Sequence, residues 1–507
     1  MKSSKKVNRR KFIKTTAAGA ASFSIIPSHV LAGSGKIAPS DRIHVANIGC
    51  GTQGLREMSD ILENEKVQLT AVCDPNKFSE NYLDWSPAGL KAGIRKTLGD
   101  KSWGENFKGI AGGRDVAKDY VDKYYQKNSP NPGKKYKGCT AYEDFRELLE
   151  KEKDLDAIKI MTPDHLHATI ALAALDAGKH VITHKPIANR LKEARLVFDK
   201  VRETKLKTHL MAWDEKYEYG LIRQWLKDGV IGELKEIHNW SVRPVWPQFP
   251  KAPEGDMPIP KDFNWDLWLG PVPHRPYHKD WTHNVFRGWF DFGGGSFADM
   301  GHYSLFPLFQ QLDIRKPAIS AKAYGNAQTT SVNGVCRRIN NKSAYPLACM
   351  FKLRMPEQEW LPSFDLFWYD GGMKPFESDE LEAEGVSFDR EGLMFVGTKG
   401  TILAGFEGAN PRILSKANSD AYSGKKKIEK YQSERRSDTW ARAIISGNES
   451  PGSFLEAECI TETINLATVA LRVGKKVEYD SANMKITNSN LANKYLTREY
   501  REGWELG

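Results

Sequence analysis

The sequence lacks the features of a disulfide scaffold, a metal-binding module and a membrane protein. Its six cysteines among 507 residues form no C-x-x-C pair, and Cys50 lies inside a glycine-rich loop, so neither a disulfide framework nor a structural zinc site is predicted. No stretch reaches the roughly 20 apolar residues that a membrane-spanning helix needs. We therefore predict no bound metal and no stable membrane span.

A large excess of charge is also absent from the body of the chain. The formal net charge is +10, but the first 32 residues contain seven lysines and arginines and no acid, so the remainder is nearly balanced. Only short basic runs, such as residues 425–427, occur later. Proteins that bind nucleic acid concentrate basic residues on one folded surface, so we predict no nucleic-acid partner. Hydrophobic residues make up 40% of the chain, which includes 14 tryptophans, and this is enough for packed globular cores.

The basic leader has the layout of an export signal. The segment N-R-R-K-F-I-K at residues 8–14 precedes a mildly apolar run over 15–26 and a small-residue cleavage pattern, V-L-A, at 30–32. Paired arginines before a phenylalanine resemble a twin-arginine signal. We predict a signal peptide over 1–32 and a linker over 33–41, with the twin-arginine export machinery as a partner and the periplasm as the destination. A basic amphipathic tail or an uncleaved anchor is the alternative.

A short β-branched run followed by glycines indicates a nucleotide-binding turn. Residues 43–48 favour a buried strand, G-C-G-T-Q-G follows at 49–54, and a helical stretch to about residue 64 leads to a second strand at 67–72. In G-x-G-x-x-G the first glycine makes the bend, the second lets the backbone approach a pyrophosphate, and the third lets helix and strand pack closely. The predicted cofactor-binding residues here are Gly49, Gly51, Thr52, Gln53, Gly54 and Asp74.

Asp74 indicates which dinucleotide binds. It stands 20 residues after Gly54, where an acid commonly accepts hydrogen bonds from both ribose hydroxyls. A carboxylate at that place would repel a 2′-phosphate, although the positive charge of Lys77 would partly offset that repulsion. The predicted cofactor is therefore NAD, with NADP less favoured.

Strands and helices alternate through the first part of the chain. Alternation of this kind is typical of a doubly wound parallel sheet, so we predict an α/β Rossmann-type NAD-binding domain over 42–186. A long polar insertion over 75–138 interrupts it and carries no motif that reveals its role. The other predicted elements are helices at 143–150 and 166–177 and strands at 157–161 and 180–183.

Beyond residue 210 the chain is richer in strand-like segments. We predict a second, α+β domain over 187–507 with a large, mainly antiparallel sheet. A late helix ends before Gly474. Six tryptophans crowd residues 240–289; flat rings suit stacking on sugars, but we favour packing in the core or at a subunit interface. The predicted strands are 234–245, 320–328, 347–354 and 365–368.

Four segments of the chain form a recognisable set of motifs. They are T-P-D-H-L-H at 162–167, A-L-D-A-G-K-H-V at 174–181, K-P at 185–186 and G-G-G-S-F-A-D-M-G at 293–301. Together they resemble the Gfo/Idh/MocA family of glucose-fructose oxidoreductase, inositol dehydrogenase and rhizopine-catabolism proteins. Two further motifs, at 265–271 and 395–400, resemble the family's secreted branch, which often carries a twin-arginine leader. The resemblance implies an NAD(P)-dependent oxidoreductase acting on sugars or cyclitols, with an open-faced sheet domain that commonly mediates homo-oligomers.

The resemblance also implies a catalytic set, from which this chain departs twice. The family uses a lysine in E-K-P, with an aspartate and a histidine at positions i and i+4 of a helix. Lys185 and Asp299 match, but His184 replaces the glutamate, and Tyr303 stands at i+4 with a histidine displaced to His302. Positions i+3 and i+4 lie on nearly one helical face, so either side chain could reach a substrate beside Lys185. We favour His302 over Tyr303 as proton acceptor, because an imidazole titrates near neutral pH.

The motif after the predicted strand at 157–161 adds further cofactor contacts. Nucleotide ligands lie at the carboxyl ends of parallel strands, so Thr162, Pro163 and His167 are predicted to line the cofactor site together with Lys185.

Three functional classes remain open on the sequence. The first is an exported NAD-dependent oxidoreductase acting on a hydroxyl of a sugar, cyclitol or glycoside. The second is a redox-assisted glycoside lyase or hydrolase, in which transient oxidation permits cleavage with no net redox change. The third is a non-catalytic sugar-binding protein that retains NAD. A periplasm offers no free nicotinamide pool, so an exported enzyme must recycle a bound cofactor.

Overall fold

The computed structural model describes residues 42–128, 136–377, 381–382, 385–414, 419–420, 422 and 434–506. The predicted signal peptide, the linker and the basic run at 425–427 lie outside these residues. Within the described part of the chain, no helix is long and apolar enough to cross a membrane.

Six parallel strands form the first sheet. They are β1 (Ile43–Ile48), β2 (Val67–Cys73), β3 (Thr140–Tyr142), β4 (Ala157–Ile160), β5 (His180–Thr183) and β6 (Thr208–Leu210). Their order is β3-β2-β1-β4-β5-β6, which confirms the predicted Rossmann-type sheet. The order reverses direction between β1 and β4, so the loops after these strands diverge and leave a crevice at the carboxyl edge of the sheet.

Helices follow most of these strands. The single helix predicted after the glycine turn is two short helices in the structure. The parallel sheet continues through β6 and so extends beyond residue 186, the predicted end of the domain. Gly178 follows the sixth helix with φ +72°, the left-handed conformation that commonly ends a helix. The helices are α1 (Thr52–Arg56), α2 (Met58–Leu62), α3 (Pro87–Leu98), α4 (Arg114–Lys127), α5 (Phe145–Lys151), α6 (His167–Asp176) and α7 (Leu191–Thr204).

The predicted insertion over 75–138 connects β2 to β3 and contains the helices α3 and α4. Helix α4 packs on β2, and the hydroxyl of Tyr125 accepts a hydrogen bond from the Leu69 N–H at 2.9 Å. Helix α3 begins with Pro87, whose missing N–H costs nothing in a first turn. Backbone bridges from residues 79 and 81 to residues 112 and 110 hold the preceding loop. That loop lies beside the glycine turn, because a Cβ on Gly51 would lie 3.3 Å from the ring of Tyr82.

Eleven further strands follow in the described part of the chain. They are β7 (Leu234–Trp240), β8 (Ser320–Gly325), β9 (Thr329–Val332), β10 (Val335–Arg338), β11 (Cys349–Met355), β12 (Phe364–Tyr369), β13 (Gly392–Gly397), β14 (Thr401–Gly405), β15 (Arg412–Ile413), β16 (Val477–Asp480) and β17 (Lys485–Ile486). Nine of these described strands form the second sheet, in the order β15-β14-β13-β7-β12-β11-β8-β16-β17. Among these nine, only β7 and β12 pair in parallel, which confirms the mainly antiparallel prediction. A separate hairpin pairs β9 with β10.

The helix Glu458–Val473 packs on both β8 and α7 and so joins the second sheet to the first domain. The predicted late helix ends at Gly474, which has φ +67°. All six tryptophans of residues 240–289 are buried, as favoured from the sequence. Self-association through the sheet stays a prediction. The helices are α8 (Tyr217–Lys227), α9 (Trp265–Leu269), α10 (His302–Gln311), α11 (Arg436–Ser446), α12 (Glu458–Val473) and α13 (Asn490–Asn493).

Candidate active site

A cavity of about 350 Å³ lies at the carboxyl edge of the parallel sheet, where the second domain faces it. It brings together most of the side chains that the sequence analysis selected. His167 and His302 are not among the residues that line it. The predicted site residues that do line it are Gly49, Gly51, Thr52, Gln53, Gly54, Asp74, Thr162, Pro163, Lys185, Asp299 and Tyr303.

The glycine turn is shaped for close approach of a dinucleotide. Gly49 has φ +99°, and a Cβ there would clash with the Met161 carbonyl group. A Cβ on Gly54 would clash with the carbonyl oxygen of Gly49, so only glycine lets α1 begin this close to β1. The two close approaches are those of a dinucleotide-binding turn, in which the glycine-rich backbone and the N-terminus of the following helix present N–H groups to a pyrophosphate. The residues present therefore fit NAD.

Asp74 ends β2 with its carboxylate turned toward this loop. Its Oδ2 accepts a hydrogen bond from the Cys50 N–H at 2.6 Å, and its Oδ1 accepts one from the Asn76 N–H at 2.8 Å. Burial raises the pKa of Asp74 to about 6, although both N–H groups and Arg114 oppose the rise. A carboxylate has about four acceptor positions, so lone pairs remain for ribose hydroxyls.

We expect Asp74→Ala to weaken NAD binding about 10- to 100-fold and NADP binding much less, because only the unphosphorylated ribose gains from the carboxylate. NAD affinity of the wild type should also fall as the pH drops through about 6, since protonation removes acceptor positions. Calorimetry with both cofactors measures these effects, and Asp176→Ala, which removes an exposed acid of the same domain, is the control. Equal weakening of both cofactors would remove Asp74 from the ribose site.

Lys185 and Asp299 form an ion pair inside the cavity. The Nζ of Lys185 donates to Oδ1 of Asp299, and Nε of Arg287 lies 3.5 Å from the same oxygen. Burial alone would raise the pKa of Asp299, but the two cations lower it to about 2. The contribution of this carboxylate to folding stability is therefore present above its ordinary pKa of 3.8 and is lost as the pH falls toward 2. Burial lowers the pKa of Lys185, and Asp299 opposes that fall.

The two residues that depart from the family pattern contact each other. The Nε2 of His184 lies 2.8 Å from the hydroxyl of Tyr303, and the Nζ of Lys185 lies 4.9 Å from the centre of the Tyr303 ring. Burial and the charge of Lys185 hold the pKa of His184 well below its usual range, so its imidazole is neutral. Burial raises the pKa of Tyr303, so its phenol keeps its proton. The phenol can donate to His184 while its oxygen accepts from a ligand.

His302 does not line the cavity, whereas Tyr303 does, so the geometry favours Tyr303 over the predicted His302 as proton acceptor. Residues Phe297–Gly301 form one turn of π-helix ahead of α10, and its i→i+5 spacing is wider than that of an α-helix. In this wider turn the residue four positions after Asp299, which is Tyr303, lies on the same side of the helix as Asp299. His302, three positions after Asp299, lies on a different side. The buried imidazole of His302 donates from Nδ1 to the Ala298 carbonyl at 2.8 Å. Burial lowers the pKa of His302 to about 4, so it does not titrate near neutral pH.

His167 joins two loops of the cavity wall and does not itself line the cavity, so its contact with the cofactor stays a prediction. Its Nδ1 lies 2.5 Å from the Pro186 carbonyl oxygen, and its Nε2 lies 2.8 Å from the Thr162 carbonyl oxygen. The side chain therefore positions the loop after β4 against the loop after β5. Lys185 lies in the second of these loops.

Several residues that line the cavity were not predicted from the sequence. Arg243, Arg287 and Arg436 come from segments without a recognisable motif, and Tyr82 and Trp85 come from the insertion. Tertiary folding alone brings these segments to the carboxyl edge. Asp164 had a signal, because it stands inside T-P-D-H-L-H; its Oδ2 accepts from the Gly294 N–H at 2.9 Å and joins that motif to the glycine-rich one.

Family models match the larger part of the chain. Residues 125–211 match an oxidoreductase family's NAD-binding Rossmann fold, and residues 233–355 and 379–506 match the C-terminal alpha/beta domain of the same oxidoreductase family.

Curated relatives match over shorter stretches. The chain is 32% identical over 111 residues to the levoglucosan dehydrogenase of Pseudarthrobacter phenanthrenivorans, covering 20% of this chain and 28% of that protein. It is 25% identical over 249 residues to a glycosyl hydrolase family 109 protein of Shewanella baltica, covering 45% of this chain and 44% of that protein. The matched stretches thus span less than half the length of these relatives.

Among solved structures, the WlbA dehydrogenase of Bordetella pertussis in complex with NADH and UDP-GlcNAcA is similar with a TM-score of 0.49 and 14% identity. The match covers 87% of this chain and 99% of that one.

Proposed function

The chain belongs to the Gfo/Idh/MocA family of NAD-binding oxidoreductases, and from that premise we propose that it oxidises a hydroxyl of a sugar, cyclitol or glycoside with NAD. The observation that carries the proposal is the convergence in one cavity of the glycine turn, Asp74, the Lys185–Asp299 pair and Tyr303. The match to a protein named levoglucosan dehydrogenase supports a carbohydrate substrate.

The Lys185–Asp299 pair stabilises charge on the reacting oxygen. NAD, when bound, supplies a hydride acceptor for the carbon that bears the hydroxyl. The Nζ of Lys185 donates a hydrogen bond to that oxygen, where negative charge grows as the proton leaves. Asp299 holds the ammonium in place, and Arg287 helps to keep Asp299 ionised.

The Tyr303–His184 pair takes up the proton. The hydroxyl proton passes to Oη of Tyr303 while the proton of Tyr303 passes to Nε2 of His184. This path needs a neutral imidazole beside a protonated phenol, which are the states that burial favours here. Net oxidation releases this proton, so His184 must pass it on to solvent before the next turnover, and the lowered pKa of His184 favours that release.

Redox-assisted cleavage of a glycoside is the second candidate. The longer of the two matches described above is to a protein named glycosyl hydrolase family 109 protein. A keto group formed on a sugar makes the neighbouring C–H acidic, so elimination of a glycosidic leaving group and return of the hydride would cleave the bond without net redox change. The same cavity residues would serve the oxidation step.

Product analysis tests these proposals. NAD-loaded protein is incubated with a panel of sugars, cyclitols and glycosides. Keto-sugar with reduced nicotinamide supports oxidation, and a cleaved glycoside with unchanged NAD supports redox-assisted cleavage. NAD binding with no product from any compound would leave the non-catalytic sugar-binding role.

We also propose that the chain is exported to the periplasm through the twin-arginine pathway. Replacing Arg9 and Arg10 with lysine should keep the protein in the cytoplasm, folded and carrying cofactor, because a receptor reads the arginine pair. Cell fractionation measures the distribution, and Lys5→Arg with Lys6→Arg is the control that leaves the pair intact. Unchanged appearance of the Arg9 and Arg10 variant outside the cytoplasm would show that another route is used.

A further inference from the structure

Residues 82–85, in the loop between β2 and α3, form part of the cavity wall. Tyr82 fixes one end of this segment: its hydroxyl accepts from Nδ2 of Asn76 at 3.1 Å, and its ring centre lies 4.1 Å from that of His283. Asp84 fixes the other end, because its Oδ1 accepts from Arg56 Nη2 and from the Ser86 N–H, both at 2.6 Å. The segment is therefore held in a defined position at the cavity.

Trp85 is exposed on this fixed segment. It is 57% exposed, whereas every tryptophan of residues 240–289 is buried. Leu83 and Val245, two further exposed apolar side chains, line the same cavity. A single exposed apolar side chain is ordinary, but three that line one cavity indicate a binding surface. A flat indole suits the apolar C–H face of a sugar ring.

Arginines lie beside the Trp85 ring. The guanidinium carbon of Arg56 is 4.7 Å from the ring centre and that of Arg243 is 6.0 Å from it. Arg56 is paired with Asp84, but the buried Nε of Arg243 makes no hydrogen bond to any described residue. Arg243 also lowers the pKa of Asp299, so it is within electrostatic reach of the Lys185–Asp299 ion pair. It thus connects the region of Trp85 with that of Lys185.

We infer that Trp85 and Arg243 form an outer subsite for the second ring of a glycoside, with the ring stacked on the indole and one of its oxygens accepting a hydrogen bond from Arg243. The inference rests on the proposed function, which places the reacting ring beside Lys185. The insertion that supplies Trp85 is then a specificity element that favours two-ring glycosides over single sugars.

Calorimetric binding to NAD-loaded protein tests this subsite without depending on turnover. The probes are disaccharides and 4-nitrophenyl glycosides, each compared with the methyl glycoside of the same reacting sugar. Trp85→Ala should raise the Kd of the two-ring ligand about 10-fold relative to that of the methyl glycoside, and Trp85→Phe should restore most of the difference. Tyr324→Ala, which removes an aromatic residue that is 56% exposed on the second sheet, is the control.

The outcomes separate this inference from the proposed function. Two-ring binding that depends on Trp85, with NAD never reduced, supports the subsite and overturns the oxidation. Oxidation of sugars with no added affinity for the second ring overturns the subsite alone, as does a Trp85→Ala effect that is equal for both ligand classes. Weakened NAD binding in Trp85→Ala would assign the indole to the cofactor instead. Absence of binding by every probe would overturn both.

Discussion

A Lys185→Met variant should turn over any sugar or glycoside that the wild type oxidises at least about 10²-fold more slowly, with little change in NAD affinity. Methionine keeps the length of the side chain and removes the cation, so the growing charge on the reacting oxygen loses its donor. Steady-state kinetics with calorimetry of NAD binding measures both quantities. Lys192→Met, which removes an exposed lysine from the next helix, is the control.

Loss of the lysine also leaves the buried carboxylate of Asp299 without its hydrogen-bonded cation and with only the weaker influence of Arg287 and Arg243, which can cost about 3–5 kcal/mol of stability. The double variant Lys185→Met with Asp299→Asn removes both charges and should recover thermal stability while remaining slow. Wild-type turnover in a folded Lys185→Met protein would remove Lys185 from the chemistry.

A Tyr303→Phe variant should lose about 10²-fold in turnover, because the phenol is the group through which the proton reaches His184. His302→Gln should change turnover little and should leave the pH profile near neutrality unchanged, since the His302 imidazole faces the Ala298 carbonyl away from the cavity. The two variants alter neighbouring positions and serve as each other's control. An active Tyr303→Phe protein with an inactive His302→Gln protein would reverse the assignment.

The first sheet was predictable because its signals are local. The buried strand β1, the glycine turn and Asp74 stand close together in sequence, and each is required by the geometry of a single turn. The strands Thr140–Tyr142 and Thr208–Leu210 were missed because each is only three residues long. Short strands depend on neighbouring strands for their stability.

Residues of the candidate active site were predictable only where each stands within a local sequence motif. Lys185 and Asp299 were found from motifs, but the choice between His302 and Tyr303 assumed an α-helix, and the π-turn changes which side chain faces the cavity. The His184–Tyr303 contact joins residues 119 positions apart, so no spacing rule indicates it. Trp85 was missed for the same reason, because its exposure and its arginine neighbours arise only from the tertiary fold.

Whether bound NAD oxidises a carbohydrate can be read from the absorbance of nicotinamide on NAD-loaded protein mixed with carbohydrate substrates, followed by mass analysis of the sugar. We expect a sugar, cyclitol or glycoside to reduce the bound NAD as a keto product forms, and Lys185→Met to lose this signal. Formation of a keto product with no participation of NAD, or a wild-type protein whose NAD stays oxidised with every compound and which releases no product, would contradict the proposed oxidation.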